Sequence, residues 1–209
     1  MKVTASRLNV RSGPGTDFRL VGALVQGDDV AVVETSGDWA WVGGGAAEGW
    51  VARSFLDSAS ALLVPKGMEG ILRAFGPPGS PPCSAGRASL PAKLKLSWSR
   101  AAVSRFACHI LLEGVFTETF ARIRREGFWS KLENFGGCYA DRAIGAGKKR
   151  STHAWGIAVD LNTTTNAQGT AGDMSPDIVR IFEAEGFLWG GSWEGRSRDP
   201  MHFQFAEGY

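Results

Sequence analysis

The stretch Ser151-Thr152-His153-Ala154-Trp155-Gly156-Ile157-Ala158-Val159-Asp160 constrains the fold more tightly than any other part of the chain. His153 and Asp160 are seven residues apart. Side chains alternate faces along a strand, so this odd spacing points them to opposite sides of a straight one. They converge only if the chain bends between them, and Gly156 is the natural place for the bend. Residues 157–162 read as a buried strand carrying a carboxylate near its end. A buried carboxylate without a partner is strongly unfavourable, so Asp160 calls for a cation.

A second segment supplies a matching ligand. The chain has three histidines, and His202 lies in Asp199-Pro200-Met201-His202-Phe203. Met201, Phe203 and Phe205 face one way along a strand, and His202 and Gln204 the other. The apolar face is the core side, which leaves His202 toward a polar cleft. His153, Asp160 and His202 thus form a set of three protein ligands with a fourth position left for water. Histidine plus carboxylate around an open position is the pattern of hydrolytic zinc, whereas structural zinc is usually closed by cysteine. Ligand type favours zinc over other divalent ions. The spacing differs from the helical HExxH arrangement, so the metal is expected on a sheet. Asp199, three residues before His202, can reach the water. His109, in Phe106-Ala107-Cys108-His109, has no such context and reads as a packed residue.

Composition narrows the function classes. A hydrophobic share of 44% makes a packed core feasible and disorder unexpected. A formal net charge of +2 gives no electrostatic case for nucleic acid. Cys83, Cys108 and Cys138 are odd in number and show no CxxC spacing, so no disulfide scaffold is expected. A thiolate ligand to the metal is a secondary option. No apolar run approaches the ~18 residues of a membrane span, and the first residues lack the apolar stretch of a secretory signal. We expect a monomer.

Residues 1–56 read as short strands separated by Gly/Asp turns, the pattern of a small all-β barrel. Trp39 and Trp41 fall on one strand face, so they are core together or surface together. Leu8-Asn9-Val10-Arg11-Ser12-Gly13-Pro14-Gly15, Asp38-Trp39-Ala40-Trp41-Val42, Gly49-Trp50-Val51 and Phe55-Leu56 resemble a bacterial SH3-like domain. That resemblance implies a module binding a cell-wall ligand. Residues 57–66 have linker composition, and a second domain is expected over 67–209. Met68, Ile71, Leu72 and Phe75 have helical spacing. Gly76 to Pro82 is Pro/Gly-rich and reads as a loop. Leu112, Val115-Phe116, Phe120 and Ile123 predict an amphipathic helix over roughly 111–126, closed by Gly127.

The two metal-ligand motifs, together with Phe135-Gly136-Gly137-Cys138-Tyr139 and Gly186-Phe187-Leu188-Trp189-Gly190-Gly191-Ser192-Trp193, resemble zinc peptidases that cleave bacterial peptidoglycan stems. That family includes D-alanyl-D-alanine carboxypeptidases and the L-alanyl-D-glutamate peptidases of phage endolysins. The resemblance implies an α+β domain with an antiparallel sheet, Zn²⁺ held by His153, Asp160 and His202, and Asp199 as general base. It also implies Arg142 as clamp for a substrate carboxylate or oxyanion, and Ser151 contacting the substrate backbone. Lys148-Lys149-Arg150 beside the site reads as a solvated basic loop. Carboxypeptidase members commonly carry Glu three residues before the last His, and this chain has Asp199. With the WGGxW stretch, that favours the endolysin branch. The expected partners are peptidoglycan stem peptides, and the expected place of action is the cell wall. A phage enzyme released from the host cytoplasm suits the absent signal. The competing readings are a D-alanyl-D-alanine carboxypeptidase or cross-link endopeptidase, a wall-binding protein with an inactive peptidase fold, and a hedgehog-like zinc-bearing module.

Overall fold

The structure, a computed structural model, describes residues 1–43, 46–56, 63–143 and 149–209. The chain folds as two units, Met1–Leu62 and Leu63–Tyr209. Residues 57–62 of the expected linker 57–66, the glycines at 44 and 45, and Lys148 lie outside the described residues.

The first unit is a five-stranded antiparallel sheet made of β1 (Arg7–Arg11), β2 (Leu20–Val25), β3 (Ala31–Ser36), β4 (Trp39–Gly43) and β5 (Gly49–Ala52). The order is β2-β1-β5-β4-β3. Alternation decides what each strand buries. Leu8 and Val10 of β1 and Ala40 and Val42 of β4 point into a core shared with Val3, Leu24, Val30, Val51 and Leu56. Trp39 and Trp41 therefore fall on the opposite, half-buried face, where Trp41 meets Trp50 edge-on with centroids 6.0 Å apart. Gly49, at φ +145°, lets β5 lie against β1, since a Cβ there would meet Arg11 O at 2.7 Å. The expected closed barrel is not formed by the ladder. β2 and β3 remain its two edges among the described residues.

The second unit places helices against a six-stranded sheet of order β10-β11-β9-β8-β6-β7. Its strands are β6 (Gly86–Leu96), β7 (Ala102–Cys108), β8 (Asn134–Gly137), β9 (Ala158–Leu161), β10 (Leu188–Trp189) and β11 (His202–Gln204). The helices are α1 (Gly67–Phe75), α2 (Pro82–Ala85), α3 (Glu113–Arg125) and α4 (Pro176–Ala184). The unit is α+β as expected, and its sheet is mixed rather than antiparallel throughout, because β6 and β8 pair in parallel. Parallel neighbours need a crossover, and here the chain returns through β7 and α3 before entering β8.

Helix α3 starts later than its apolar pattern suggested. His109 Nδ1 accepts the Leu111 N–H, and a 3₁₀ turn occupies Ile110–Leu112. The helix then buries Phe116, Phe120 and Ile123. Phe120 packs edge-on against Phe182 of α4, which stacks on Phe203 of β11 at 4.3 Å. The aromatic core thereby fixes the strand that carries His202. His109 is 2% exposed, with Nε2 at 3.3 Å from Phe75 O. It acts as a packing and capping residue away from the ligand group. All three cysteines are buried and unbonded. No helix among the described residues is long and apolar enough to cross a membrane.

Candidate metal centre and cleft

His153 reaches the site from a 3₁₀ turn, Thr152–Trp155. Ser151 caps this turn, its Oγ accepting the His153 N–H at 3.3 Å. Gly156 ends it in the left-handed region, at φ 64° and ψ 29°, and β9 begins two residues later. The bend required by the His153–Asp160 spacing is therefore this turn and its glycine cap. The position admits no side chain. An L-residue costs ~1–2 kcal/mol at such dihedrals, and a Cβ would come within 2.7 Å of His109 N and 3.0 Å of the Cys108 carbonyl carbon. Gly156→Ala should destabilise the chain by more than ~2 kcal/mol, read as a lower urea midpoint with an unchanged slope.

β9 and β11 are antiparallel neighbours, and Asp160 lies directly across from His202. Three atoms converge as a result. His202 Nδ1 is 2.9 Å from Asp160 Oδ1, His153 Nε2 is 3.2 Å from the same oxygen, and the two imidazole nitrogens are 3.2 Å apart. Tetrahedral zinc with ligands at ~2.0–2.1 Å requires ligand atoms about 3.3 Å from one another, so the triangle has nearly the right size. Other partners fix the tautomers. His153 Nδ1 donates to the Cys138 carbonyl at 2.5 Å, and His202 Nε2 lies 3.1 Å from Gln204 Oε1. With these outer nitrogens protonated, both inner nitrogens present lone pairs toward a carboxylate. Three electron-rich atoms at these distances repel one another unless a cation lies among them. This donor set fits zinc, with the outer hydrogen bonds orienting the rings.

With no ion present, the same attraction appears as a preference for protonated imidazole beside Asp160. Burial works to raise the Asp160 carboxyl, but His153 and His202 outweigh it and hold the group well below the usual carboxylate range. Burial works to lower the His202 imidazole, and Asp160 reverses this, leaving it raised. The site demands positive charge at its centre.

Asp199 occupies the loop leading into β11. Its N–H donates to Gly190 O at 2.9 Å, and its own carbonyl accepts the His202 N–H at 3.0 Å. A Cβ on Gly190 would meet Asp199 O at 2.6 Å, so the WGG stretch brings the shorter carboxylate close by backbone placement. Asp199 Oδ1 is buried and has no hydrogen-bond partner among the described residues. Burial is the main cause of its raised pKa, about 6, with Asp160 adding to the rise while His202, His153 and Arg142 oppose it. An unsatisfied buried acceptor with a pKa near neutrality suits a proton-transfer group.

A cleft of about 440 Å³ opens beside these groups, lined among others by Arg142, Lys149, Ser151, Trp193, Asp199 and Tyr209. A smaller cavity of about 150 Å³ lies along Trp98, Gly136, Gly137 and Asp160. His153 and Arg142 line both. Arg142 is exposed, and its carbonyl accepts the Ser151 N–H. Sequence reasoning missed three supports: the Cys138 carbonyl, Gln204 and Thr152, whose Oγ1 is 3.2 Å from both His202 Nε2 and Gln204 Oε1. Alternation had placed Gln204 beside His202, which was the available signal. Cys138 contributes its carbonyl, while its buried thiol contacts Gly156 O at 3.6 Å and lies outside the ligand group.

No curated protein and no solved structure matches the chain. Two family models do: one described as bacterial SH3 domain over residues 6–57, the other as D-alanyl-D-alanine carboxypeptidase over residues 145–205. The second match contains His153, Asp160, Asp199 and His202, so the segment bearing the candidate ligands is similar to the D-alanyl-D-alanine carboxypeptidase family and follows a segment similar to a bacterial SH3 domain.

Proposed function

We propose that the chain is a zinc-dependent peptidoglycan hydrolase that cuts the L-alanyl-D-glutamate bond of the stem peptide, held to the wall by its SH3-like domain. The observation that carries this reading is the His153–Asp160–His202 triangle, with Asp199 lining the same cleft and its Oδ1 without a hydrogen-bond partner among the described residues. The two family matches support the coarser statement, a peptidase acting on peptidoglycan.

His153 Nε2, His202 Nδ1 and Asp160 Oδ1 would hold the ion. When bound, zinc supplies Lewis acidity and a water of lowered pKa. Asp199 takes the proton of the attacking water on a carboxylate oxygen and delivers it to the leaving amine. Arg142 lies between the two cavities and serves the developing oxyanion or a neighbouring substrate carboxylate, whose geometry a guanidinium matches. Ser151 holds the His153 turn in place, and its wall position lets it contact the substrate backbone as well.

An endopeptidase needs room on both sides of the scissile bond. Cavities meeting at His153 and Arg142 support that reading over a carboxypeptidase, whose substrate ends at the site. The carboxypeptidase reading draws on the description of the matching family and on Arg142 as a terminal-carboxylate clamp. Mass spectrometry of digested wall separates the two. We expect new N-terminal D-glutamate, abolished by a chelator and restored by zinc. Release of D-alanine would establish the carboxypeptidase instead. Zinc binding without turnover would leave a wall-binding protein.

A further inference from the structure

The smaller cavity has features that proton transfer and metal ligation leave unused. Its outer wall is Trp98, at the tip of the β6–β7 hairpin and 64% exposed. The tip is well fixed. Leu96 N–H donates to Ala101 O at 2.9 Å, Ala101 N–H to Ser99 Oγ at 3.2 Å, and Ser97 N–H to Phe135 O at 3.0 Å. The last bond ties the hairpin to β8. Because β6 and β8 run in parallel with Leu96 opposite Phe135, Trp98 is carried level with Gly136 and Gly137. Both of these residues lack side chains for a reason. A Cβ on Gly136 would meet Asp160 Cβ at 2.8 Å, and Gly137 sits at φ +117° with open space where a Cβ would point. The cavity therefore has a bare backbone floor and a projecting indole wall, beside a ligand of the proposed metal.

The two cavities differ in charge. The larger one holds Lys149 in addition to Arg142, with the Lys149 ammonium 4.2 Å from the Tyr209 ring centre. That contact keeps a cation at the rim. In the smaller one, Arg142 at the boundary is the only lysine or arginine among the described residues. The L-alanyl-D-glutamate bond divides a substrate with the same asymmetry. The glutamate side bears free carboxylates. The alanine side leads through a lactyl amide to uncharged N-acetylated sugars.

Resting on the endopeptidase reading above, we infer that the smaller cavity receives the L-alanyl side of the scissile bond and that Trp98 packs against the first sugar of the glycan strand. A pyranose ring offers C–H faces to an indole, while its amide and hydroxyl groups find backbone partners. Such sites combine an aromatic surface with a few polar groups. Trp98 would be a substrate-binding residue that makes the enzyme prefer stem peptides still joined to glycan.

The test compares two substrates of identical peptide sequence, one carrying the disaccharide and one free. In Trp98→Ala the ratio of their kcat/KM values should fall about tenfold, through KM of the glycan-bearing substrate, and Trp98→Phe should restore most of it. Binding of disaccharide–lactyl–L-alanine to metal-free protein, measured by calorimetry, should weaken in Trp98→Ala by a similar factor. An unchanged ratio, or equal losses on both substrates, would overturn the inference. If the wild-type protein instead releases D-alanine and leaves the L-alanyl-D-glutamate bond intact, the bond assignment has failed and this subsite falls with it.

Discussion

His202→Ala is expected to lose metal and activity together. His202 Nδ1 is the hub of the triangle, 2.9 Å from Asp160 Oδ1 and 3.2 Å from His153 Nε2. Without it two protein ligands remain, and Asp160 keeps its buried charge with less compensation. Loss of a supporting partner of a ligand typically costs about 10–100-fold in metal affinity or activity, so loss of the ligand itself should cost more. Elemental analysis after dialysis should show zinc well below one atom per chain, with wall hydrolysis at background. Gln204→Ala provides the graded comparison. It removes the acceptor 3.1 Å from His202 Nε2 and should fall in the 10–100-fold range. Stoichiometric zinc retained by His202→Ala would remove this residue from the ligand set. Circular dichroism distinguishes ligand loss from unfolding, because Phe203 on the opposite strand face still anchors β11 through its stack on Phe182.

Asp199→Ala should separate metal binding from turnover. The carboxylate lies outside the three-atom ligand group, so zinc content should stay at the wild-type level. Loss of a general acid–base group typically costs about 10²–10⁴-fold in rate, and kcat should fall within that range. Full activity in this variant would show that another group moves the proton. The wild-type pH profile carries the same assignment. A base works ionised, so activity falls as pH drops through its pKa. Burial raises Asp199 to about 6, and a bound cation pulls it down, which puts the acid limb at or below about pH 6. Stability moves the other way. A carboxyl whose folded pKa exceeds its unfolded value of ~3.9 binds more protons in the folded state, so its contribution to stability declines as pH rises from about 4 to about 6. Removing it should leave the melting temperature at pH 7 unlowered, a trade of stability for function common at active sites.

The strand faces and the convergence of His153, Asp160 and His202 could be read from residues in order, because local rules govern them. Strict alternation in β1 and β4 separates core aliphatics from Trp39 and Trp41. The same alternation along β11 puts His202 and Gln204 opposite Phe203. The conflict between a seven-residue spacing and strand geometry pointed to Gly156, and the left-handed cap found there resolves it. The sequence was less clear wherever distant segments chose the outcome. That the segment before Gly156 is a 3₁₀ turn shows only in the fold, where Ser151 Oγ caps the His153 N–H. Thr152 and the Cys138 carbonyl entered the site through tertiary contacts that leave no periodic trace.

Residue type and spacing alone determined that two imidazoles and a carboxylate would be available as ligands and that Asp199 would stand near the last of them. Strand alternation and the rarity of unpaired buried charge are enough for that. The fold decided which nitrogen of each ring faces the centre, how Asp199 Oδ1 came to be buried without a hydrogen-bond partner among the described residues, and that two cavities share His153 and Arg142 in their walls. These depend on how β8, β9 and β11 are laid side by side, and hydrogen-bond register between segments far apart in the chain is a property of the assembled sheet.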